Sequence, residues 1–354
     1  FSLYTDETEC VMALLSVREG ALVNKNVFLS MPAEDKPLPK YEEIAHLLPV
    51  PVWRGRDDVL ACYDFAGRTA FANLRPANGE FHFVSNFIDT AFNGYLFMWD
   101  SSFIVMFGKY GARAFNFQKT LDNFYSHQHK DGYICRELCE FRASEHFSRH
   151  DPSSTGPNIL GWSEWEYYSQ TGDTERLEKI FDPLLAYHLW LKEFRTWRDG
   201  TYWSTGWGCG MDNMPRLEKG YHVSFSHGHM VWVDVCIQQV LSAKILIKIA
   251  DIIGRGDDHS IEILKEEVEN LTAIINDKLW DESDAFYYDL VATAVGGLVK
   301  ILEDPLYGEG GIQELAAEYN LEIPDSEYEN GWDIVTELVS WHYAGSEPYD
   351  IYSR

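Results

Sequence analysis

Three segments of the chain carry apolar residues at the three- and four-residue spacing of an amphipathic helix. The first covers residues 177–191, and Asp173 stands where the amino-terminal cap of such a helix belongs. The second covers residues 233–252 and the third residues 261–275. Apolar residues recur along the full length of each segment, so the pattern predicts three long helices, each with one face in a core.

The rest of the chain divides into a helical part and a short irregular part. Weaker helical patterns occur at 100–108, 112–126, 159–170 and 332–343, and segments with strict strand alternation are few. Residues 1–58 instead contain short mixed segments and proline-bearing stretches, which predict extended or irregular backbone. We therefore expect an irregular amino-terminal segment over 1–58 and one helical domain over 59–354.

Composition narrows the class of protein and its partners. A chain of 354 residues can bury a large core, and its 15% of aromatic residues, including 12 Trp, suits the binding of sugar rings. The 56 acidic and 29 basic residues give a net charge of -27. Such a chain repels nucleic acids and anionic membrane surfaces, so neither is expected as a partner. The oligomeric state is left open.

The cysteines and the start of the chain bear on its compartment. Six cysteines are scattered without a Cys-x-x-Cys pair, which favours reduced thiols and slightly favours the cytoplasm. No apolar run reaches membrane-spanning length. The chain begins Phe-Ser-Leu-Tyr without an initiator Met, so we expect trimming that has removed any targeting information.

The most unusual segment is Gly200–Arg216, which is rich in glycine and tryptophan. Glycines at 206, 208 and 210 allow sharp bends, and Trp203 and Trp207 offer flat apolar faces. Asp212 is the acid of this loop. Sugar rings stack on indoles, and glycoside hydrolysis needs a carboxylic acid beside the scissile oxygen, so the loop suits carbohydrate chemistry. A capping aspartate on an ordinary loop is the alternative reading.

Three further segments combine aromatic residues with acids at junctions between loops and predicted helices: Phe97–Phe103, Asp131–Glu137 and Gly156–Trp165. Capping acids and half-buried tryptophans explain each segment taken alone. Their recurrence at the same kind of junction predicts one shared site, because ligand sites favour one end of a repeating scaffold.

Other chemistries find little support in the sequence. His127-x-His129 and His227-x-His229 have the wrong spacing for two ligands on one helix face, so no metal site is expected. Nucleophile-elbow, phosphate-loop and dinucleotide motifs are absent from the sequence. We therefore expect no cofactor.

Taken together, these motifs resemble the inverting α-glycosidases of glycoside hydrolase family 63, whose relatives include oligosaccharide α-glucosidases, mannosylglycerate hydrolases and trehalases. The resemblance covers about residue 85 to residue 289, and its most specific part is Gly210-Met211-Asp212-Asn213. It implies an all-α, (α/α)6-barrel fold with the active site at one end, and Asp212 as the general acid.

The carboxy-terminal part departs from the family pattern. The Tyr-Trp-Arg-Gly-like segment is missing, and the Glu-x-Tyr-Asp-Pro-like segment survives only around Glu347. A full barrel has twelve helices, whereas about ten are predicted here, so we expect an incomplete barrel or differently built last helices. Glu347 is the first choice for the general base, with Glu337 and Glu309 behind it.

The resemblance also implies which residues bind the sugar in a single-step inverting hydrolysis. Asp212 would protonate the glycosidic oxygen, and the base would activate a water about 6.5–9.5 Å away. The substrate is expected to be an α-glucoside or α-mannoside of a small oligosaccharide or sugar conjugate. The residues expected to bind it are Trp99, Asp100, Arg136, Glu137, Trp162, Glu164, Trp207, Asn213 and Arg216.

Two alternatives from other classes remain. A sugar epimerase on the same barrel would need paired histidines, for which His227 and His229 are the candidates. A carbohydrate-binding protein without activity is the other, because the carboxy-terminal pattern is eroded.

Overall fold

The computed structural model describes residues 2–5, 10–13, 25–89, 93–149, 151–211, 214, 216, 226–228 and 230–291. The described ranges are mostly helical, as the sequence predicts, with short strands between the helices. The helices are α1 (Tyr41–Ile44), α2 (Asp57–Ala72), α3 (Met98–Gly108), α4 (Asp122–Ser126), α5 (Leu160–Thr171), α6 (Thr174–Phe194), α7 (Gly206–Cys209), α8 (Val233–Ile252) and α9 (His259–Ile274).

The strands form antiparallel two-stranded ribbons. They are β1 (Ser2–Thr5), β2 (Cys10–Ala13), β3 (Leu74–Arg75), β4 (Phe87–Ile88), β5 (Tyr95–Phe97), β6 (Glu137–Cys139), β7 (Met230–Val231), β8 (Trp280–Asp281), β9 (Phe286–Tyr287) and β10 (Leu290–Val291). The pairs are β1 with β2, β3 with β4, β5 with β6, β8 with β9, and β7 with β10. One of these ribbons, β5–β6, borders the candidate site.

The three long periodic segments are confirmed as α6, α8 and α9. The carboxylate of Asp173 accepts a hydrogen bond from the backbone amide of Arg176 at 3.0 Å, so Asp173 caps α6 as predicted. A run of apolar residues from Leu177 to Leu191 is buried on α6, and α8 packs against both α6 and α9. These helices form the centre of the hydrophobic core.

The helix predicted at 112–126 takes a different form. A 3₁₀ segment covers Phe117–Leu121 and leads directly into the five-residue α4. The buried side chain of Asn123 exchanges hydrogen bonds with the backbone of Ser85, and Thr120 Oγ1 accepts one from the amide of Ile88. These contacts with the β4 region compete with a regular helix. The helix predicted at 332–343 lies outside the described residues.

The lead-in before α2 packs on the same core. Residues 25–56 contain only short helical turns, in keeping with the irregular backbone predicted there. Phe28 is buried with its ring 5.1 Å from that of Tyr125, and Asn26 Nδ2 donates to the Tyr125 carbonyl at 2.9 Å. The division of the chain at residue 58 stays a prediction. No described helix has both the length and the apolarity that a membrane span requires.

Candidate active site

The candidate site lies where the start of α3 and the β5–β6 ribbon meet the glycine-rich loop. The start of α3 forms its first wall. Strand β5 runs straight into this helix, so Trp99 and Asp100 stand in its first turn. β5 pairs with β6 in a register that sets Phe97 opposite Glu137, and the amide of Met98 donates to the carbonyl of Arg136 at 2.8 Å. The ribbon thereby brings two of the predicted segments, Phe97–Phe103 and Asp131–Glu137, side by side.

Asp100 is half-buried in this first turn, and burial raises the pKa of its carboxyl. A hydrogen bond from its own backbone amide and the nearby charge of Arg136 act in the opposite direction. The half-buried carboxyl therefore stands at a helix start where the charge of Arg136 acts on it, which is an arrangement suited to bonding hydroxyl groups.

The second wall is the glycine-rich loop. Thr205 caps α7 by accepting a hydrogen bond from the amide of Gly208 at 3.0 Å, and Gly210 ends the helix with φ of +73°. A Cβ atom on Gly210 would lie 2.5 Å from atoms Cε2 and Cζ2 of Trp99. The backbone of the loop thus lies directly on the Trp99 indole, two residues before Asp212, and this close contact requires a glycine.

We expect Gly210→Ala to lower kcat by about 10-fold to 10²-fold, because the new methyl group must push the loop away from Trp99 and small displacements of a reacting group are costly. The matched control is Gly200→Ala. Gly200 has a similar φ of +83°, but a Cβ there would meet nothing within 4 Å. Steady-state kinetics on both variants checks this expectation. Equal activity in the two variants would contradict a role for the Trp99–Gly210 contact.

A chain of stacked groups links Arg136 to the loop. The guanidinium of Arg136 lies 4.4 Å from the centre of the Phe147 ring, and Phe147 meets Trp207 edge-on at 6.1 Å. Arg136 Nε also donates to the carbonyl of Ser153 at 2.6 Å, and burial lowers the pKa of the guanidinium. Trp207 is half-buried on α7. Trp99, Asp100, Arg136 and Trp207 therefore converge where the β5–β6 ribbon meets the loop.

Glu137 lies beside this group, but its carboxylate is already used. One oxygen pairs with Arg136, the other receives a contact from His146 Nδ1 at 2.6 Å, and the residue is only 4% exposed. The sequence-based assignment of Glu137 to sugar hydroxyls therefore does not fit its surroundings. Glu137 instead orients two neighbours that are closer to solvent.

His146 is the neighbour that sequence reasoning missed. Its ring stacks between those of Tyr95 and Phe147, at 4.4 Å and 4.5 Å, and 38% of its side chain is exposed. Its Nδ1 atom faces Glu137. No motif marks this histidine in the sequence, because only the β5–β6 ribbon and the turn after it bring His146 to Tyr95.

Glu164, which the sequence analysis predicted to bind sugar, also lies away from any position open to a sugar. It is 1% exposed, and Arg176 contacts both of its oxygens, from Nε at 2.6 Å and from Nη2 at 2.8 Å. The hydroxyl of Tyr125 donates to one of the same oxygens at 2.9 Å, and Arg176 Nη1 reaches Asp122 at 3.0 Å. Burial raises the pKa of the Asp122 carboxyl against the pull of Arg176. Glu164 thus belongs to a buried ion network joining α4, α5 and α6.

We expect Glu164→Ala to lower the free energy of unfolding by about 3–5 kcal/mol, since it leaves Arg176 buried with a single carboxylate partner. Denaturant unfolding measures this effect. Glu175→Ala is the control, because Glu175 forms an exposed pair with Lys179 and its loss should leave stability almost unchanged. An unchanged stability in Glu164→Ala together with weaker sugar binding would restore the original assignment.

The other predicted tryptophans differ in position. Trp162 is half-buried on α5 and reaches the α3 wall only through Phe103, whose ring lies 6.2 Å from Trp162 and 5.4 Å from Trp99. Trp203, for which the sequence predicted a flat apolar face available to a sugar ring, is 4% exposed and packs within the core. Trp162 therefore stands at the edge of the site, whereas Trp203 belongs to the hydrophobic core.

Of the remaining predicted site residues, one is a buried arginine and the others lie outside the described residues. Arg216 pairs with Asp234 and Asp289 and is 6% exposed along its side chain, so its guanidinium is engaged by the protein rather than open to a sugar. Asp212, Asn213 and Glu347 lie outside the described residues, as do Glu337 and Glu309.

Residues 94–309 match the family described as the mannosylglycerate hydrolase MGH1-like glycoside hydrolase domain. The match covers more than half of the chain, so the protein belongs to this glycoside hydrolase family. The resemblance first identified from the sequence motifs is thereby confirmed.

Individual relatives are more distant. An uncharacterized protein of Borreliella burgdorferi is 27% identical over 192 residues, which are 54% of this chain and 37% of that protein. The chain therefore spans little more than a third of this relative's length.

Two crystal structures of GH63 mannosylglycerate hydrolase from Thermus thermophilus are also similar. The complex with glucose is 19% identical with a TM-score of 0.47, over 65% of this chain and 70% of that one. The complex with Tris and D-glycerate is 20% identical with a TM-score of 0.44, over 63% and 69%.

Proposed function

We propose that the protein is an inverting exo-α-glycosidase acting on α-glucosides or α-mannosides of small oligosaccharides or sugar conjugates. Membership of a glycoside hydrolase family supports the hydrolytic class. The observation that carries the proposal is the contact of Gly210 with Trp99, which sets the loop leading to Asp212 against a helix start bearing Asp100. Sugar hydrolysis needs this combination of an apolar platform and carboxylic acids.

The proposed mechanism is a single displacement on an (α/α)6 barrel formed by residues 59–354. Asp212 protonates the glycosidic oxygen while a second carboxylate removes a proton from the attacking water. Glu347 is the proposed base, with Glu337 and Glu309 as the next candidates. Because the water attacks the face opposite the leaving group, the configuration at the anomeric carbon inverts. The reaction requires no cofactor.

The proposed sugar-binding residues are those that converge beside the loop. Trp99 and Trp207 offer apolar faces, Asp100 and Arg136 offer polar groups, and Trp162 extends the wall at its edge. Asn213 remains a candidate because it adjoins Asp212. We add His146, whose exposed, stacked ring can hydrogen-bond a hydroxyl group.

Measuring sugar release from a panel of substrates tests the proposal. The panel contains mannosylglycerate, because the family is described by that activity, together with α-linked disaccharides of glucose and of mannose and their β-linked counterparts. Hydrolysis of at least one α-linked substrate is expected. Activity on β-linked sugars alone, or a change in sugar configuration without hydrolysis, would contradict it.

The epimerase alternative receives less support. His227, one of its two candidate bases, is 4% exposed and packs between the rings of Trp197 and Trp203 at 5.3 Å and 5.2 Å. A buried imidazole between two indoles is poorly placed to reach a sugar carbon. His229 lies outside the described residues. An inactive sugar-binding protein would release no sugar from any member of the panel, although calorimetry would detect binding of the same sugars.

We expect Trp207→Ala to weaken sugar binding while leaving the melting temperature nearly unchanged, because a half-buried tryptophan on this loop serves mainly the ligand. The matched control is Trp203→Ala on the same segment. Trp203 belongs to the core, so its loss should lower the free energy of unfolding by about 3–5 kcal/mol. Calorimetry and thermal melting on the same samples separate the two effects. A large drop in melting temperature with unchanged affinity in Trp207→Ala would show that Trp207 is a core residue.

A further inference from the structure

The guanidinium group of Arg216 contacts two carboxylates, one indole and, through a weak hydrogen bond from Nη1 at 3.9 Å, the sulfur of Cys209. Its Nε lies 2.7 Å from Asp289 Oδ2, its Nη1 lies 3.0 Å from Asp234 Oδ1, and the group stacks over the Trp232 ring at 4.2 Å. Only 6% of the side chain is exposed. Both edges and one face of the guanidinium are therefore occupied by protein groups, which leaves little of it for a sugar.

The partners of Arg216 are themselves fixed to the helical core. Asp289 Oδ1 accepts a hydrogen bond from the amide of Val233 at 2.8 Å, so the same carboxylate holds the start of α8 and Arg216. Asp234 stands in the first turn of α8. The indole of Trp232 is fully buried and donates from Nε1 to the carbonyl of His227 at 3.0 Å. Asp289 also precedes β10, which pairs with β7. Arg216 is thus attached to a rigid part of the fold.

Asp212 lies in the sequence between two such attachment points. Gly210, two residues before it, rests on Trp99, and Arg216, four residues after it, is held between two carboxylates. We propose that Arg216 is a positioning residue, which holds the loop so that Asp212 meets the glycosidic oxygen, and that it does not bind sugar. This inference rests on the proposed function of Asp212 as the general acid.

The chemistry of the side chain explains why an arginine is needed there. A planar guanidinium can donate along two directions to two carboxylates while its face stacks on an indole. The ammonium of a lysine is a compact point charge, so it cannot reproduce both ion pairs and the stacking contact together. Arg216→Lys should therefore keep the charge but lose much of the positioning.

The test compares two substrates that differ in their need for an acid. A glycoside leaving group must be protonated by Asp212, whereas the fluoride of a glycosyl fluoride leaves with little help. We expect Arg216→Ala and Arg216→Lys to lower kcat on mannosylglycerate at least about tenfold more than kcat on α-mannosyl fluoride. KM should change little on both. If the panel shows glucosides to be the substrates, maltose and α-glucosyl fluoride replace this pair.

Arg255 provides a matched control at the far end of α8. It pairs with Asp182 and Asp258, each at 2.6 Å, and stacks over the Phe181 ring at 4.5 Å. It therefore has the same kinds of partner as Arg216 but no connection to the loop. Arg255→Ala should affect both substrates alike when rates are normalised to folded protein. Asp289→Asn, which keeps an acceptor for the Val233 amide, gives a milder variant if Arg216→Ala does not fold.

Each outcome is decisive. Equal losses on the two substrates in the Arg216 and Asp289 variants would show a merely structural role, and a raised KM with normal kcat would show sugar binding; both overturn the inference. Asp212→Asn is measured in parallel. If Asp212→Asn loses the same share of kcat on the glycoside and on the glycosyl fluoride, Asp212 is not the general acid, and this holds for any result with the Arg216 variants. If Asp212→Asn loses more kcat on the glycoside than on the fluoride and the Arg216 variants do not, only the positioning role of Arg216 is contradicted.

Discussion

Asp212→Asn should lower kcat on an unactivated α-glycoside by about 10²–10⁴, the range that general acid catalysis contributes. The amide keeps the shape of the side chain but has no proton of suitable acidity to transfer. Substrate affinity should survive, because the residue acts on the glycosidic oxygen in the transition state. Steady-state kinetics on a disaccharide or on mannosylglycerate gives the measurement.

The leaving group provides the internal control for this prediction. Hydrolysis of an α-glycosyl fluoride should lose much less in Asp212→Asn, since fluoride departs with little protonation. Near-normal activity of the variant on the unactivated glycoside would remove Asp212 from the role of acid. A comparable loss on both substrates would also count against that role, because loss of the acid should spare the substrate that needs little protonation.

Glu347→Ala should abolish hydrolysis, with a loss of about 10²–10⁴ or more, because water would attack without a base. Azide should restore part of the turnover, since it is a nucleophile that needs no deprotonation. It would displace the leaving group from the opposite face, so the product would be a β-glycosyl azide. Detection of this product by mass spectrometry checks the prediction.

Variants at the other two candidate bases test whether the role of general base belongs to Glu347 alone. Glu337→Ala and Glu309→Ala should retain hydrolysis and show no response to azide. Azide rescue in one of these variants, with Glu347→Ala active, would move the role of base to that residue. Loss of activity in Glu347→Ala without any glycosyl azide would also count against Glu347.

The long helices could be predicted from the sequence because their periodicity is sustained. The pattern at 177–191 falls within α6, and the patterns at 233–252 and 261–275 agree with α8 and α9 to within a few residues. The segment at 112–126 was less predictable, because buried polar side chains there bond to a distant part of the backbone. Such tertiary hydrogen bonds leave no periodic signal.

The tryptophan–aspartate pair on α3 and the glycine-rich loop were recognisable from residue types, since both stand at element ends. The roles of Glu137, Glu164 and Arg216 were not, because a charged residue looks the same in sequence whether it faces a ligand or an internal partner. Glu164 meets Arg176 only because Gly172 ends α5 in the left-handed conformation, with φ of +69°, and α6 begins directly after it.

We expect the chain to hydrolyse an α-glycoside with inversion at the anomeric carbon. Proton nuclear magnetic resonance of a fresh reaction, recorded before mutarotation, identifies the first-formed anomer of the released sugar. We predict that the β-anomer appears first and that the α-anomer grows in later at the rate of spontaneous mutarotation. Initial formation of the α-anomer would show retention and would contradict the proposed roles of Asp212 and Glu347.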